Sequence, residues 1–214
     1  MLVLDRTFFI DSFEKMAELA ERERNHWSKL DSDIGDGDHG INMTIGFRDV
    51  TKKLEAMRES DEDISDLLKS VGMSLMSKVG GASGPLYGSF FMRAANDYKG
   101  QQEVTFPEFC QIIKNGVDQI IRLGKASVGD KTMIDAFVPG LEVLFEHDLE
   151  NEPIQAFEAF VNRMKQGSDE TIPLVAKKGR AMRLGERAIG FRDPGSESSW
   201  MLMNIYLEEL KKRV

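Results

Sequence analysis

FIDSFEKMAELAERERNHWSKL, residues 9–30, sets Phe9, Phe13, Met16, Ala20, Trp27 and Leu30 at steps of three, four or seven. An α-helix turns once every 3.6 residues, so this spacing lays one apolar stripe along one helix. The rhythm recurs down the chain. Met43, Phe47, Val50, Leu54 and Met57 make a second stripe, and Ile64, Leu68, Val71 and Leu75 a third. Pro85 to Tyr98 carries Phe90, Phe91 and Ala94; Pro107 to Leu123 carries Ile112, Ile113, Val117, Ile120 and Ile121. Thr132 to His147 carries Met133, Phe137, Leu141, Leu144 and Phe145, with Pro139 expected to kink or split it. Pro153 to Lys178 carries Ile154, Phe157, Val161 and Met164, and a last stripe from Ser196 carries Trp200, Met203, Leu207 and Leu210. About eight amphipathic helices result. No alternating run or hairpin signal competes with them. No low-complexity linker divides the chain. Residues 1–214 are therefore expected to form one all-α domain.

Bulk properties narrow the function. A hydrophobic content of 41% supports a sizeable core. The net charge of −8 gives no basic field for nucleic acid. Cys110 is the only cysteine, which rules out an intrachain disulfide and fits a reducing compartment. Its apolar helical setting marks it as a buried, inert thiol. The N-terminal residues do not resemble a signal peptide, and no segment is long and apolar enough to span a membrane. A cytoplasmic location without membrane attachment is the expectation.

The glycines cluster between the stripes: Gly35, Gly37 and Gly40; Gly80, Gly81 and Gly84; Gly124 and Gly129; Gly179, Gly185, Gly190 and Gly195. Helices of an up-and-down bundle alternate direction, so every second loop lies at one end. The glycine-rich loops follow the first, third, fifth and seventh helices. Four such loops at one rim suggest a composite anion site at helix N-termini.

The first of them, DSDIGDGDH at residues 31–39, packs four acids beside a histidine. A calcium-binding EF-hand loop needs glutamate at its twelfth position. Counted from Asp31, Asp33, Asp36 or Asp38, that position holds Asn42, Thr44, Phe47 or Asp49. Magnesium instead takes one or two carboxylates per ion and completes its shell with water and phosphate oxygens. Asp36 and Asp38, two apart across a glycine, would aim the same way, and Asp31 could complete a pair of ion sites. Asp33 is expected to be solvated. His39, beside the acids, is the histidine of interest; His26 and His147 look ordinary.

KVGGASGPLYG, residues 78–88, lacks the spacing of a hydrolase nucleophile elbow. Ala82, Ser83 and the amides after them suit a phosphate cradle. GKASVGDKTM, residues 124–133, approaches a Walker A loop, but Asp130 intrudes before Lys131-Thr132 and no strand precedes it. Asp130 or Thr132 would cap the sixth helix, and that role can coexist with ligand contact. Arg180 is a candidate phosphate contact.

Taken in order, these segments resemble the ADP-binding L subunits of dihydroxyacetone kinases. The resemblance runs through Leu30-Asp31, IGDGDHG at 34–40, Asn42-Met43, GGASGPL at 80–86, GDKTM at 129–133, KGR at 178–180, LGER at 184–187 and DPG at 193–195. It spans residues 25 to 200, and a stand-alone subunit without a domain for a kinase substrate is the expectation. The resemblance implies an antiparallel eight-helix barrel holding ADP (or ATP) and two Mg²⁺ at one rim, with Asp31, Asp36 and Asp38 as metal ligands. Around the nucleotide it implies His39, Gly40, Ile41, Asn42, Ala82, Ser83, Gly124, Met133, Arg180, Asp193, Pro194 and Gly195, and Thr132 is added as a contact beside Met133. No covalent nucleophile is expected, and Arg180 would help spread charge. The implied partners are a K subunit that carries dihydroxyacetone and a phosphohistidine M subunit of the sugar phosphotransferase system. An ATP-exchanging kinase subunit for a related ketose such as a tetrulose is the enzymatic alternative. The non-enzymatic alternative is a nucleotide-loaded module contacting a transcription factor. Met182-Arg183, Phe191 and Ser196-Glu197 depart from the usual family residues at the rim.

Overall fold

Asp5 accepts a hydrogen bond from the Phe8 amide at 3.0 Å and so starts the first helix. In this computed structural model, which describes residues 1–94 and 96–214, that helix is α1, Arg6–Ile34. It is followed by α2 (His39–Glu59), α3 (Ile64–Lys78), α4 (Ser83–Ala94), α5 (Phe106–Gly124), α6 (Ile134–Glu146), α7 (Pro153–Glu170) and α8 (Pro194–Lys211). Each helix packs on the next, and α8 returns to pack on α1, closing a ring. The expected stripes face its interior: Phe9, Phe13, Met16, Phe47, Leu68, Phe137 and Met203 are all buried. Cys110 is buried too, and burial pushes its thiol pKa up, as an inert thiol requires. Among the described residues no helix is long and apolar enough to cross a membrane.

The two ends of the ring differ. At one end, Phe8 of α1, Phe109 of α5, Phe157 of α7 and Tyr206 of α8 form an aromatic plug. Phe8–Phe109, Phe109–Phe157 and Phe109–Tyr206 centroids lie 5.3, 5.5 and 5.1 Å apart. Each fully buried aromatic of this kind contributes about 1.5–3 kcal/mol. The opposite end is left to the loops after the odd-numbered helices.

Five expectations need correction. Two short strands exist: β1 (Val3–Asp5) pairs antiparallel with β2 (Glu103–Thr105), placing Leu4 opposite Val104. Three residues cannot show an alternating pattern, and each strand ends in an extended N-cap residue, Asp5 for α1 and Thr105 for α5. Second, the helix expected over 153–178 stops at Glu170, two residues short of Ile172-Pro173, where proline disfavours helical backbone for the residue before it. Third, Pro139 does not split the helix: α6 continues through it. Proline leaves the Asp135 carbonyl without its helical partner. The carbonyl lies instead against Gly167 of α7, where a Cβ would overlap it. Fourth, Phe145 is exposed rather than part of the core. The segment expected as one helix to Tyr98 ends at Ala94; Ala95 lies outside the described residues, and a separate 3-10 turn covers Asn96–Tyr98.

Candidate functional site

Helices α2, α4, α6 and α8 all begin at the loop-bearing end. Their first-turn amides lack helical partners and carry the positive end of the peptide dipole. Between them opens a cavity of about 510 Å³. Its polar lining includes Asp31, Asp38, His39, Ser83, Lys131, Arg180 and Asp193. Its apolar lining is built from Ile34, Leu86, Ile120, Leu123, Ala126 and Ile134. The polar lining suits an anion with a cation, and the apolar lining suits a hydrophobic group.

Asp31 organises the acidic loop. Its Oδ2 accepts the amides of Asp38 (2.9 Å) and His39 (3.1 Å), so it caps α2 from across the loop. Its Oδ1 lies against Gly35, where a Cβ would overlap the oxygen. A glycine there keeps that oxygen open. Carboxylate oxygens of Asp31, Asp36 and Asp38 all lie within 4.8 Å of one another. Three acids this close repel unless a cation sits among them. The Arg180 guanidinium supplies that charge here, paired with Asp36 and lying 3.4 Å from Asp38. The donor set of hard oxygens and the cradle at Gly35 both fit a magnesium ion. Asp33 turns outward to Lys29, as a solvated acid would.

His39 is buried, and burial pushes its pKa down to about 4, so its ring is neutral. Nδ1 lies 3.1 Å from Ser83 Oγ at the start of α4, and Nε2 lies 2.9 Å from Ser198 Oγ in α8. Behind it, Tyr87 Oη touches Ser198 and Ser199 at 2.8 Å each. Asp193 caps α8 through the Ser196 amide at 2.6 Å. Burial, with the nearby Asp135 and Asp31 carboxylates, pushes its pKa up to about 7.

Residues 171–193 form a strap over the rim, wound into 3-10 turns at Arg180–Ala188 with a reversal at Gly185 (φ 56°, ψ −129°). Ala176, Ala181 and Ala188 pack with Ile34 into a small satellite core beneath it. Lys131 fastens the base of the strap. Its buried Nζ donates to the carbonyls of Thr171 (2.7 Å) and Phe191 (2.5 Å). Gly190 N donates to Ile172 O at 2.9 Å beside it. Met182, Ile189 and Phe191 are exposed on its outer side.

Ala82, Ser83, Gly124, Thr132, Met133, Arg180, Asp193, Pro194 and Gly195 all line the cavity, as do Asp31, Asp38 and His39. Asp36 stands at its edge through Arg180. Gly40, Ile41 and Asn42 do not line it. A helix turns 100° per residue, so only His39 of that run faces inward. Gly40 packs on the Arg24 carbonyl, Asn42 lies against Gly80, and Ile41 is exposed. Gly40 and Ile41 can meet a ligand only through first-turn amides. Thr132 Oγ1 accepts the Ile134 amide at 3.2 Å and so helps cap α6, while Asp130 closes its own turn on Ser127. Two residues escaped the sequence reading: Lys131, and Asp135, which accepts the Gly129 and Thr132 amides at 2.6 and 2.7 Å. The GDKTM context hinted at Lys131 alone; Asp135 lies two residues beyond it. The apolar lining was also missed: only Ile120 lies on a stripe read from the sequence, and the others meet only in the folded rim.

The DAK2 domain family matches residues 33–208. The chain is 58% identical over 213 residues, covering 100% of it and 99% of the relative, to PEP-dependent dihydroxyacetone kinase 2, ADP-binding subunit DhaL, from Listeria innocua. It is 42% identical over 203 residues to the corresponding subunit, PEP-dependent dihydroxyacetone kinase ADP-binding subunit DhaL, of Escherichia coli, covering 94% of this chain and 96% of the relative. The dihydroxyacetone kinase of C. freundii in complex with AMP-PNP and Mg²⁺ superposes with a TM-score of 0.71 at 23% identity, over 97% of this chain and 35% of that kinase. That superposition establishes the fold.

Proposed function

This chain belongs to the DAK2-domain family, and on that premise we propose that it is the nucleotide-carrying subunit of a dihydroxyacetone kinase. It holds ADP with magnesium. It takes a phosphoryl group from a phosphohistidine M subunit of the phosphotransferase system and passes it to dihydroxyacetone on a separate K subunit. The observation that carries this reading is the meeting, in one cavity, of an acidic trio, four helix N-termini and an apolar lining. Full-length identity to two subunits of that description supports it.

The roles of the side chains follow from their placement. Asp31, Asp36 and Asp38 would hold the metal, with Asp31 fixed by two amides so that only one of its oxygens remains to give. When bound, magnesium neutralises phosphate charge and orients its oxygens. The first-turn amides of α2, α4 and α8 donate toward the nucleotide phosphates. Arg180, long and half-exposed, can leave the acids and reach an anion. The lining of Ile34, Ile120 and Leu123 receives the base and excludes water there. No side chain of this subunit needs to form a bond to phosphorus, since positioning and charge neutralisation account for this class of transfer.

Asp36→Asn tests the reading. Asp36 is exposed and lies outside the core, so the helical fold should survive by circular dichroism. Magnesium-dependent ADP retention through gel filtration, and transfer from a phosphorylated M-type protein, should fall by at least about tenfold. Full retention and full transfer would overturn the metal assignment.

A further inference from the structure

Among the described residues, the first turn of α8 has one amide to spare. Pro194 has no N–H. The Ser196 amide donates to Asp193 Oδ2 at 2.6 Å, and the Glu197 amide donates to the Asp193 carbonyl at 3.2 Å. That leaves the Gly195 N–H, on the cavity lining, as the free donor of the turn. A lone backbone donor serves a ligand best where the backbone is already held in place. Gly195 has no side chain to hold it, so its neighbours must.

Glu197, two residues on, is a buried carboxylate. Its Oε2 accepts from Arg192 Nη1 at 2.5 Å, Trp200 Nε1 at 2.7 Å and Ser168 Oγ at 3.1 Å. His26 of α1 approaches its Oε1 at 3.4 Å. Burial disfavours the charged form, but the bonds from Trp200 and Arg192 outweigh it and hold the Glu197 pKa below its usual range. Arg192 gives its other terminal nitrogen to Asp169 of α7. One planar guanidinium thus bridges α7 and α8 from the residue just before the Asp193 cap. The Asp193 amide is held in turn by Thr171 Oγ1 at 3.0 Å.

We propose that Glu197 is a positioning residue for nucleotide binding: through Arg192 it holds the turn at 193–195 so that the Gly195 amide meets a phosphate oxygen. The choice of ligand rests on the function proposed above. Neither Glu197 nor Arg192 lines the cavity, so both act on the nucleotide through the backbone they hold.

Three variants of the full chain test this: Arg192→Gln, Glu197→Gln and the two together, each titrated with ADP in the presence of magnesium. Each single change should weaken ADP about tenfold, since one hydrogen bond to a charged group is at stake. The double variant should lose no more than the larger single loss, because the pair acts as one unit. In ¹H–¹⁵N spectra the shift that ADP induces in the Gly195 amide should shrink in all three. A local effect of this kind is one that general loosening of the fold would not single out. Losses that add, a Gly195 response like the parent's, or parent-like affinity in either single variant overturn the positioning role. Arg192 is partly exposed, so Arg192→Gln decides the matter alone if the buried Glu197 change prevents folding. A parent protein that binds no ADP overturns the functional reading and this role with it. A parent that binds ADP, with variants that bind it equally well, overturns this role alone.

Discussion

Lys131→Met separates a lysine that holds the strap from one that is merely buried near it. Lys131 is 1% exposed and donates to Thr171 O at 2.7 Å and Phe191 O at 2.5 Å. The third carbonyl, Ile172 O at 3.4 Å, is too far to add much. Hydrogen bonds from a charged donor stabilise by about 1.5–3 kcal/mol each, so two amount to roughly 3–6 kcal/mol before offsets. Burial works against them, because it disfavours the ammonium and pushes the Lys131 pKa down against the pull of Asp193 and Asp135. Methionine has nearly the same length, fills the space and avoids that penalty. It removes one donor from the Thr171 carbonyl, which keeps the Leu174 amide at 3.2 Å, and Phe191 is exposed, so its carbonyl regains water. The expected net loss is about 1–3 kcal/mol in urea unfolding. Amide exchange should accelerate over residues 171–193 and not in the aromatic plug. A loss under about 1 kcal/mol, with exchange over 171–193 unchanged, would refute the clamp.

Asp193→Asn keeps an α8 cap but removes a charge whose pKa in the fold is raised to about 7. A raised carboxyl pKa means that the protonated form is favoured on folding. The stability Asp193 allows is therefore full below about pH 4 and lost as pH rises through about 7, so the variant should overtake the parent in Tm progressively across that window. A pH-independent Tm difference would contradict the shift. Gly167→Ala drives a Cβ into the Asp135 carbonyl and Ala136 at the α6–α7 contact, and should cost about 3 kcal/mol in chemical denaturation. Gly100→Ala is the control: its φ is +83° but nothing lies within 4 Å, so backbone strain alone should cost about 1–2 kcal/mol. Similar losses for the two would count against a close helix contact.

The stripes legible from Phe9 to Leu30 and in the seven segments after it are the helices observed, because a 3.6-residue apolar period has no other compact use in a chain of this length. Loop parity also followed from the chain alone: once the helices alternate, loops 35–38, 79–82, 125–133 and 171–193 must share a rim, and they line one cavity. Where the reading failed, the reasons are local. α7 stops two residues short of Ile172-Pro173, where proline disfavours helical backbone for the residue before it. Pro139 is tolerated because α7 approaches at Gly167, a fact about another helix.

What the sequence by itself determined is the set of helices, the shared rim and the acids fit for a hard cation, since periodicity, alternation and donor chemistry are properties of the chain. Tertiary structure alone decided which residues line the cavity. The run His39–Asn42 is contiguous, yet only His39 turns inward. Lys131 resembles any surface lysine until Thr171 and Phe191 close on it. His39 meets Ser83 and Ser198, residues far from it in the chain, only once the helices pack. Hydrogen bonds are short and directional, so their partners exist only once the ring has closed and α8 lies beside α2 and α4.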